Sequence, residues 1–264
     1  METEGKNVIA RLAMTLKTDG DYFNMHKASI LQGVIMQQIR SEYAQVLHLQ
    51  GLKPYSQYCW REGEDVVWVI QALNTEAYQE ILLPLMQEAF REFYIEHDKQ
   101  KVLITEKKLE MISMEKLIGE FYDAAADKYF KLEFLTPTAF KIDGKYAIFP
   151  DPEHIFASCM RKMDAIAADQ NMFSEETLEQ ITEVSEITEY QLRSVRFEAE
   201  GVKIPAFVGR ITIAVRGNQT MRNFVKLLLS FSEYSGVGIK TAMGMGAVRL
   251  LKRKEEWGND RKRV

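Results

Sequence analysis

Between Lys27 and Arg40, Ile30, Leu31, Val34, Ile35 and Ile39 recur at helical spacing and define a one-sided apolar face. On either side the period changes. Asn7 to Leu16 alternates loosely and predicts a strand, followed by a turn at Thr18-Asp19-Gly20-Asp21. A short second helix is predicted from Ser41, its capping residue, to about His48, with Gly51 and Pro54 ending it. Tyr55–Arg61 and Asp65–Ala72 predict two strands joined by a tight turn at Glu62-Gly63-Glu64. Residues 75–92 predict a helix despite Pro84, and Lys101–Met111 a fourth strand. The first half therefore reads β, α, β, β, α, β.

The second half repeats this order with insertions. Lys128–Phe134 and Lys145–Phe149 predict a strand pair around Thr136-Pro137-Thr138-Ala139-Phe140. Helices are expected from Glu153 to about Ala168 and through the acidic stretch Glu175–Glu189. Gln191–Glu198 and Ile204–Val215 read as a hairpin turning at Glu200-Gly201. Helix Gln219–Phe231 sets Phe224, Leu227, Leu228 and Phe231 on one face, and Ala247–Leu251 reads as the last strand. Two βαββαβ units predict an α+β protein of two tandem ferredoxin-like domains, residues 1–122 and 123–264. That fold hosts many functions, RNA binding among them.

Composition adds little to the class but something to the partner. At 46% hydrophobic and 27% charged residues, the chain is an ordinary globular protein with no apolar run long enough to span a bilayer. Met1-Glu2-Thr3-Glu4 lacks the apolar stretch of a signal peptide, so a cytoplasmic protein is expected. Cys59 and Cys159 stand far apart with no CxxC spacing, which indicates neither a zinc site nor a disulfide framework. The net charge of −4 hides a division. From Gly201 to Val264 there are 13 Lys and Arg against 4 Asp and Glu, a basic third of the kind that binds a phosphate backbone.

That basic third carries the densest chemistry, Ser235-Gly236-Val237-Gly238-Ile239-Lys240-Thr241-Ala242-Met243-Gly244-Met245-Gly246. Glycines allow positive φ and close backbone approach, and consecutive exposed amides form an anion site to which Lys240 adds charge. Phosphate loops of nucleotide enzymes follow a strand and open a helix. Here the order is helix, loop, strand, which argues against a nucleotide fold.

The stretch Tyr234–Gly246 resembles the C-terminal glycine-rich signature of the CRISPR-associated protein six family, the endoribonucleases that cut precursor CRISPR RNA within its repeats. Phe134-Leu135-Thr136-Pro137-Thr138-Ala139-Phe140, Ala147-Ile148-Phe149-Pro150 and Ile204-Pro205-Ala206-Phe207-Val208-Gly209 resemble the middle of these enzymes, and Leu31-Gln32-Gly33-Val34-Ile35 their first helix. The similarity covers nearly the whole chain and is nearest to versions that serve type III systems. It implies two ferredoxin-like domains of the RAMP superfamily. It also implies a reaction without metal or cofactor, in which a 2′-hydroxyl attacks its own phosphate and leaves a 5′-hydroxyl and a 2′,3′-cyclic phosphate. Repeat RNA, subunits of a type III effector complex and a second copy of the chain are the partners it implies.

Such a reaction needs a base, an acid and a cation near the growing charge on phosphate. The family's histidine and lysine positions are occupied here by His48 and Lys53. Histidine exchanges protons near neutrality, so the resemblance makes His48 the general acid or base and Lys53 the group that holds the scissile phosphate. The family's tyrosine position is occupied by Met36, which moves no proton; Tyr43 and His26 are the substitutes considered, against plain packing and surface roles. For RNA contact the candidates are the loop residues Gly236, Gly238, Lys240, Thr241, Gly244 and Gly246, with Arg193 and Arg196 read as facing one side of a strand, Lys203, and Arg249. Arg210 and Arg216 could belong to the same surface, and the acidic stretch Ser174–Glu189 should face away from RNA. Two alternatives stand beside this reading: a non-catalytic RNA-binding RAMP subunit of an effector complex, and an enzyme that binds a small phosphorylated molecule in the glycine loop.

Overall fold

The computed structural model describes residues 8–18, 28–49, 51–63, 65–96, 99–123, 125–166, 174–199 and 201–251. The first sheet contains β1 (Val8–Thr18), β2 (Tyr55–Glu62), β3 (Asp65–Ala72), β4 (Glu92–Ile95) and β5 (Gln100–Ser113) in the order β2-β3-β1-β5-β4, every neighbour antiparallel. The second contains β6 (Tyr129–Thr138), β9 (Ser185–Ala199), β10 (Val202–Val215) and β11 (Val248–Leu251) in the order β11-β6-β10-β9, also antiparallel. In each, the first and third strands of the βαββαβ unit lie at the centre. The two ferredoxin-like units are therefore present in tandem.

Each sheet buries the face its alternation predicts. Ala10, Leu12, Met14 and Leu16 of β1 join Trp68 and Ile70 of β3 beneath Leu31, Val34 and Ile35 of α1 (Ala28–Gln38). Tyr43 and Leu47 of α2 (Ser41–Leu49) complete this core. In the second, Phe130, Leu132, Phe134, Ile211 and Ile213 pack against Phe156 and Met160 of α6 (Pro152–Ile166) and Leu228 and Phe231 of α8 (Gln219–Ser235). Burial of each such side chain contributes about 1.5–3 kcal/mol. Ile9 of β1 and Leu73, the residue after β3, lie in the second core, so the two halves share apolar contacts.

Several sequence expectations are corrected. The helix expected over 75–92 ends at Met86 and is composite: α3 (Thr75–Ala77), a π-turn (Tyr78–Leu82) and α4 (Leu83–Met86). Asn74 caps it by accepting from the Ala77 amide at 2.8 Å. Pro84 has no N–H to give the preceding turn, and the Leu83 amide reaches back to Tyr78 instead. Residues 87–91 form a turn, and Glu92 opens edge strand β4, too short for alternation to reveal. Helix α5 (Met114–Asp123) is an addition to the expected elements; Met114 and Leu117 enter the second core, so by packing α5 joins the second half although all but its last residue lies before residue 123. Lys145 does not pair with the Lys128 strand: β8 (Lys145–Ala147) forms a small hairpin with β7 (Phe140–Ile142). The acidic helix α7 (Glu175–Glu183) ends at Glu183 rather than running to Glu189, and β9 begins at Ser185, earlier than Gln191. Among the described residues, no helix is long and apolar enough to cross a membrane.

Candidate functional site

Helix α2 presents two faces. Tyr43 and Leu47 point into the first core, whereas His48 is exposed in the last turn. Five residues separate Tyr43 from His48, a rotation of roughly 140° around the helix axis, so they cannot share a face. Lys53 is half-buried in the loop that follows, and its ammonium donates to the carbonyl of Leu47. The loop thereby returns a cation to the residue adjoining His48 in sequence. Burial pushes Lys53 below the ordinary lysine value.

Tyr43 is 4% exposed, and among the described residues its hydroxyl has no hydrogen-bond partner. Burial, then the charges of Glu76 and Glu80, drive its hydroxyl well above the ordinary tyrosine range. This environment favours the packing role of Tyr43 over a proton-transfer one. Met36 packs against the same core. His26 lies outside the described residues.

The glycine-rich stretch folds as a knot of internal bonds. Its amides donate as follows: Gly236 to Ser232 O, Val237 to Gly246 O, Ile239 to Ala139 O, Met245 to Lys240 O, and Gly246 to Pro137 O. The Gly238 amide donates to Ser158 Oγ at 2.9 Å. These six amides are therefore engaged within the protein rather than presented to an anion. What the glycines permit is close approach of protein to protein. A Cβ on Gly244, where φ is +103°, would stand 2.3 Å from the Ala28 Cβ at the start of α1. Ala242 enters the first core. Gln57 of β2, 1% exposed, donates to both Ala28 O (3.1 Å) and Ala242 O (2.9 Å), and accepts from Trp68 Nε1 at 2.7 Å. Thr241 is buried, while Lys240 is half-buried with φ of +52° and its Nζ lies 3.4 Å from Met243 Sδ.

Beneath this stretch lies Lys162 of α6, 5% exposed. Its ammonium donates to Ser235 O (3.0 Å), Gly236 O (2.9 Å) and Thr241 Oγ1 (3.3 Å), one acceptor for each N–H. Burial pushes Lys162 down to about 7, with neighbouring Cys159 opposing the shift. Sequence reasoning passed over this residue, yet a signal existed. Lys162 falls on the stripe Ile155, Cys159, Ile166 at helical spacing, a charge placed on an apolar face.

The basic candidates separate. Arg193 and Arg196 are three residues apart on β9 and lie opposite Val208 and Pro205, so they occupy opposite faces of the sheet, not one. Lys203 forms an exposed ion pair with Glu198 at 3.3 Å, and Arg210 binds Glu133 at 2.8 Å. Arg216 pairs with Glu186. Arg249 stacks over Trp60, 5.2 Å from the ring centroid, in a cleft of about 420 Å³ between the two sheets that Arg11, Tyr58, Lys108 and Glu233 also line. The cleft uses the face of the first sheet opposite α1 and α2, because Arg11, Val67 and Val69 alternate with the core residues of β1 and β3.

Comparison with known proteins decides the family. A family model described as "CRISPR-associated endoribonuclease Cas6" matches residues 132–248. A protein of Streptococcus thermophilus named CRISPR-associated endoribonuclease Cas6 is 35% identical over 223 residues, covering 84% of this chain and 90% of the relative. The chain belongs to the Cas6 family of endoribonucleases. A Cas6 endoribonuclease of Mycobacterium tuberculosis is 34% identical over 246 residues, covering 92% of this chain and 78% of that protein. Among solved structures, a Cas6 product complex superposes with a TM-score of 0.77 at 20% identity, covering 93% of this chain and 100% of the other. Thermus thermophilus Cas6 gives 0.67 at 20% identity, covering 93% and 99%. A RAMP protein described as binding different RNA substrates gives 0.57 at 14%, covering 92% and 100%. These structural likenesses support the tandem fold.

Proposed function

We propose that this Cas6 chain cuts precursor CRISPR RNA within its repeats without a metal ion. In this reading the 2′-hydroxyl gives up its proton and its oxygen attacks the adjacent phosphorus. The P–O5′ bond breaks, the departing oxygen takes a proton, and a 5′-hydroxyl and a 2′,3′-cyclic phosphate remain. His48 supplies one of the two proton transfers, and Lys53 holds charge on the non-bridging oxygens. The observation that carries the reading is the pairing at the end of α2: an exposed histidine in the last turn, with the Lys53 ammonium held on the carbonyl of the residue before it. Lys240 and Arg249 are the basic residues of the second half retained for RNA contact, by their side chains rather than by loop amides. The product passes to a type III effector complex in the cytoplasm.

The test is cleavage of a labelled cognate repeat RNA in EDTA under single-turnover conditions, with binding measured in parallel. His48→Ala should bind normally and cut at least about a hundredfold more slowly, the range for a lost general acid or base. Lys53→Ala should slow cutting about tenfold or more through lost charge stabilisation. Wild-type cleavage that requires added metal would remove the metal-free chemistry. Equal cutting by His48→Ala would remove its role. Binding without cutting by the wild type would favour the non-catalytic RAMP subunit.

A further inference from the structure

The exposed residues of α2 change character along the helix. Ser41, Glu42 and Gln45 are polar, whereas Val46 and Leu49 toward its end are apolar, and Leu52 of the following loop continues them. Leu49 is 88% exposed, more than any other large apolar side chain among the described residues. Val46 and Leu52 are 42% and 45% exposed. The fold does not ask for this, since Tyr43 and Leu47 already fill the core side of α2. At about 100° per residue those two fall close together around the axis, and His48 and Leu49 lie on either side of the opposite direction. Leu49 thus stands beside His48, and Leu52 directly precedes Lys53. A lone exposed leucine is ordinary, but three such side chains gathered around the groups proposed to act on phosphate form a patch.

The charge around the patch suits a nucleic acid. From Tyr43 to Arg61 the chain has no Asp or Glu, although it carries 38 in all, and its basic groups there are His48, Lys53 and Arg61. A phosphate backbone laid along this stretch meets no like charge from it. An apolar surface set beside a cation and a proton carrier has the make-up of the nucleotide it would receive, an apolar base face one sugar away from a charged phosphate.

The reaction itself needs something at this place. A 2′-oxygen that attacks the adjacent phosphorus must lie opposite the departing 5′-oxygen. Where neighbouring bases are stacked as in an A-form helix, the sugar and phosphate hold these atoms well off that line, so a base beside the bond has to leave the stack. Proteins part stacked bases by inserting an apolar side chain, leucine among them. We propose that Leu49 is such a wedge: it packs against a nucleobase beside the scissile phosphate, next to Val46 and Leu52, and holds that base out of the stack. The inference rests on the assignment of His48 and Lys53 above. Leu49 moves no proton. It raises the fraction of bound RNA whose reacting atoms are aligned, and so acts on the cleavage step. Affinity is carried by contacts to phosphate elsewhere.

The experiment uses the full chain, and single-turnover cleavage of the cognate repeat RNA by the wild type first maps the cut. At saturating protein Leu49→Ala should cut at least about tenfold more slowly, with Kd changed by less than about threefold and the pH profile kept. Leu49→Met should restore most of the rate. Because the side chain is exposed, neither change threatens folding. Next, RNA made uncleavable by a 2′-deoxy sugar at the attacking position carries 2-aminopurine on one side of the cut or the other. Binding to the wild type should brighten one of the two as its base leaves the stack, and Leu49→Ala should lose that signal. Finally, RNA that lacks this base altogether should be cut equally by the wild type and Leu49→Ala. No brightening at either position, brightening that survives Leu49→Ala, or a lag of Leu49→Ala on the abasic RNA would each overturn the wedge. Equal cutting of the intact RNA would overturn it too and leave the patch to a protein partner. A wild type that binds and cuts nothing would instead remove the reading of α2 on which the wedge rests, and the wedge with it.

Discussion

Replacing Lys162 by methionine tests whether a buried ammonium holds the glycine-rich stretch. Two opposed effects operate. The change strips Ser235 O and Thr241 Oγ1 of a buried donor, whereas Gly236 O loses one donor and still accepts from Ser235 Oγ. Leaving such groups unsatisfied costs about 1–3 kcal/mol each. It also removes the penalty of keeping an ammonium out of water, and that penalty depends on pH. Lys162 falls from an ordinary 10.5 to about 7 in the folded protein. Between those values the unfolded chain binds more protons than the folded one, so wild-type stability should rise with pH across the window, by roughly 1 kcal/mol per unit at most. Below about 7 the penalty is present in full, and Lys162→Met relieves it there. The variant should therefore lie near the wild type at about pH 6 and fall behind it by a few kcal/mol at about pH 9. Urea unfolding of both proteins at a series of pH values reads the difference directly, and common titrations cancel, apart from Cys159, which Lys162 itself perturbs. A gap that is constant or shrinks as pH rises would refute the reasoning, since it would mean that the three acceptors keep Lys162 charged in the folded state.

Three further outcomes test the placements above. Gly244→Ala should lower stability by more than about 2 kcal/mol in thermal melts, because its φ is positive and its Cβ collides with Ala28. Gly33→Ala in α1, where the added Cβ meets nothing within 4 Å, should be neutral or slightly stabilising in the same assay. Tyr43→Phe should retain single-turnover cleavage and fold with equal or greater stability, since it removes a buried hydroxyl that has no partner. A large loss of cleavage at unchanged stability would return Tyr43 to the chemistry.

The tandem fold was legible because each core strand alternates and each core helix keeps a single apolar stripe, as β1 and α1 do. Where periodicity is short, it was not. Strand β4 has four residues, and α5 has a glycine at its middle and makes sense only against the second core. His48 and Lys53 were legible by resemblance, but the hold of Lys53 on the Leu47 carbonyl depends on a loop geometry that no pattern encodes. Glycine content was read as an opening for a ligand. It serves a contact between Gly244 and Ala28, residues distant in sequence, and a single chain offers no local sign of that. Strand parity, by contrast, could have been counted: Arg193 and Arg196 differ by an odd number and were never on one face.

The internal bonding of the glycine-rich stretch separates recognition from competence. Its glycines answer to Ala28, Ala139 and its own Val237 carbonyl, so the tail motif by which such a chain is recognised reports how two halves are joined. The proposed chemistry sits on α2, far away in sequence and under a different constraint. A descendant could lose its histidine and keep the motif whole, because the joint would still have to close. On the proposed assignment, membership read from the C-terminal end is a separate matter from cleavage, which would rest on the end of α2.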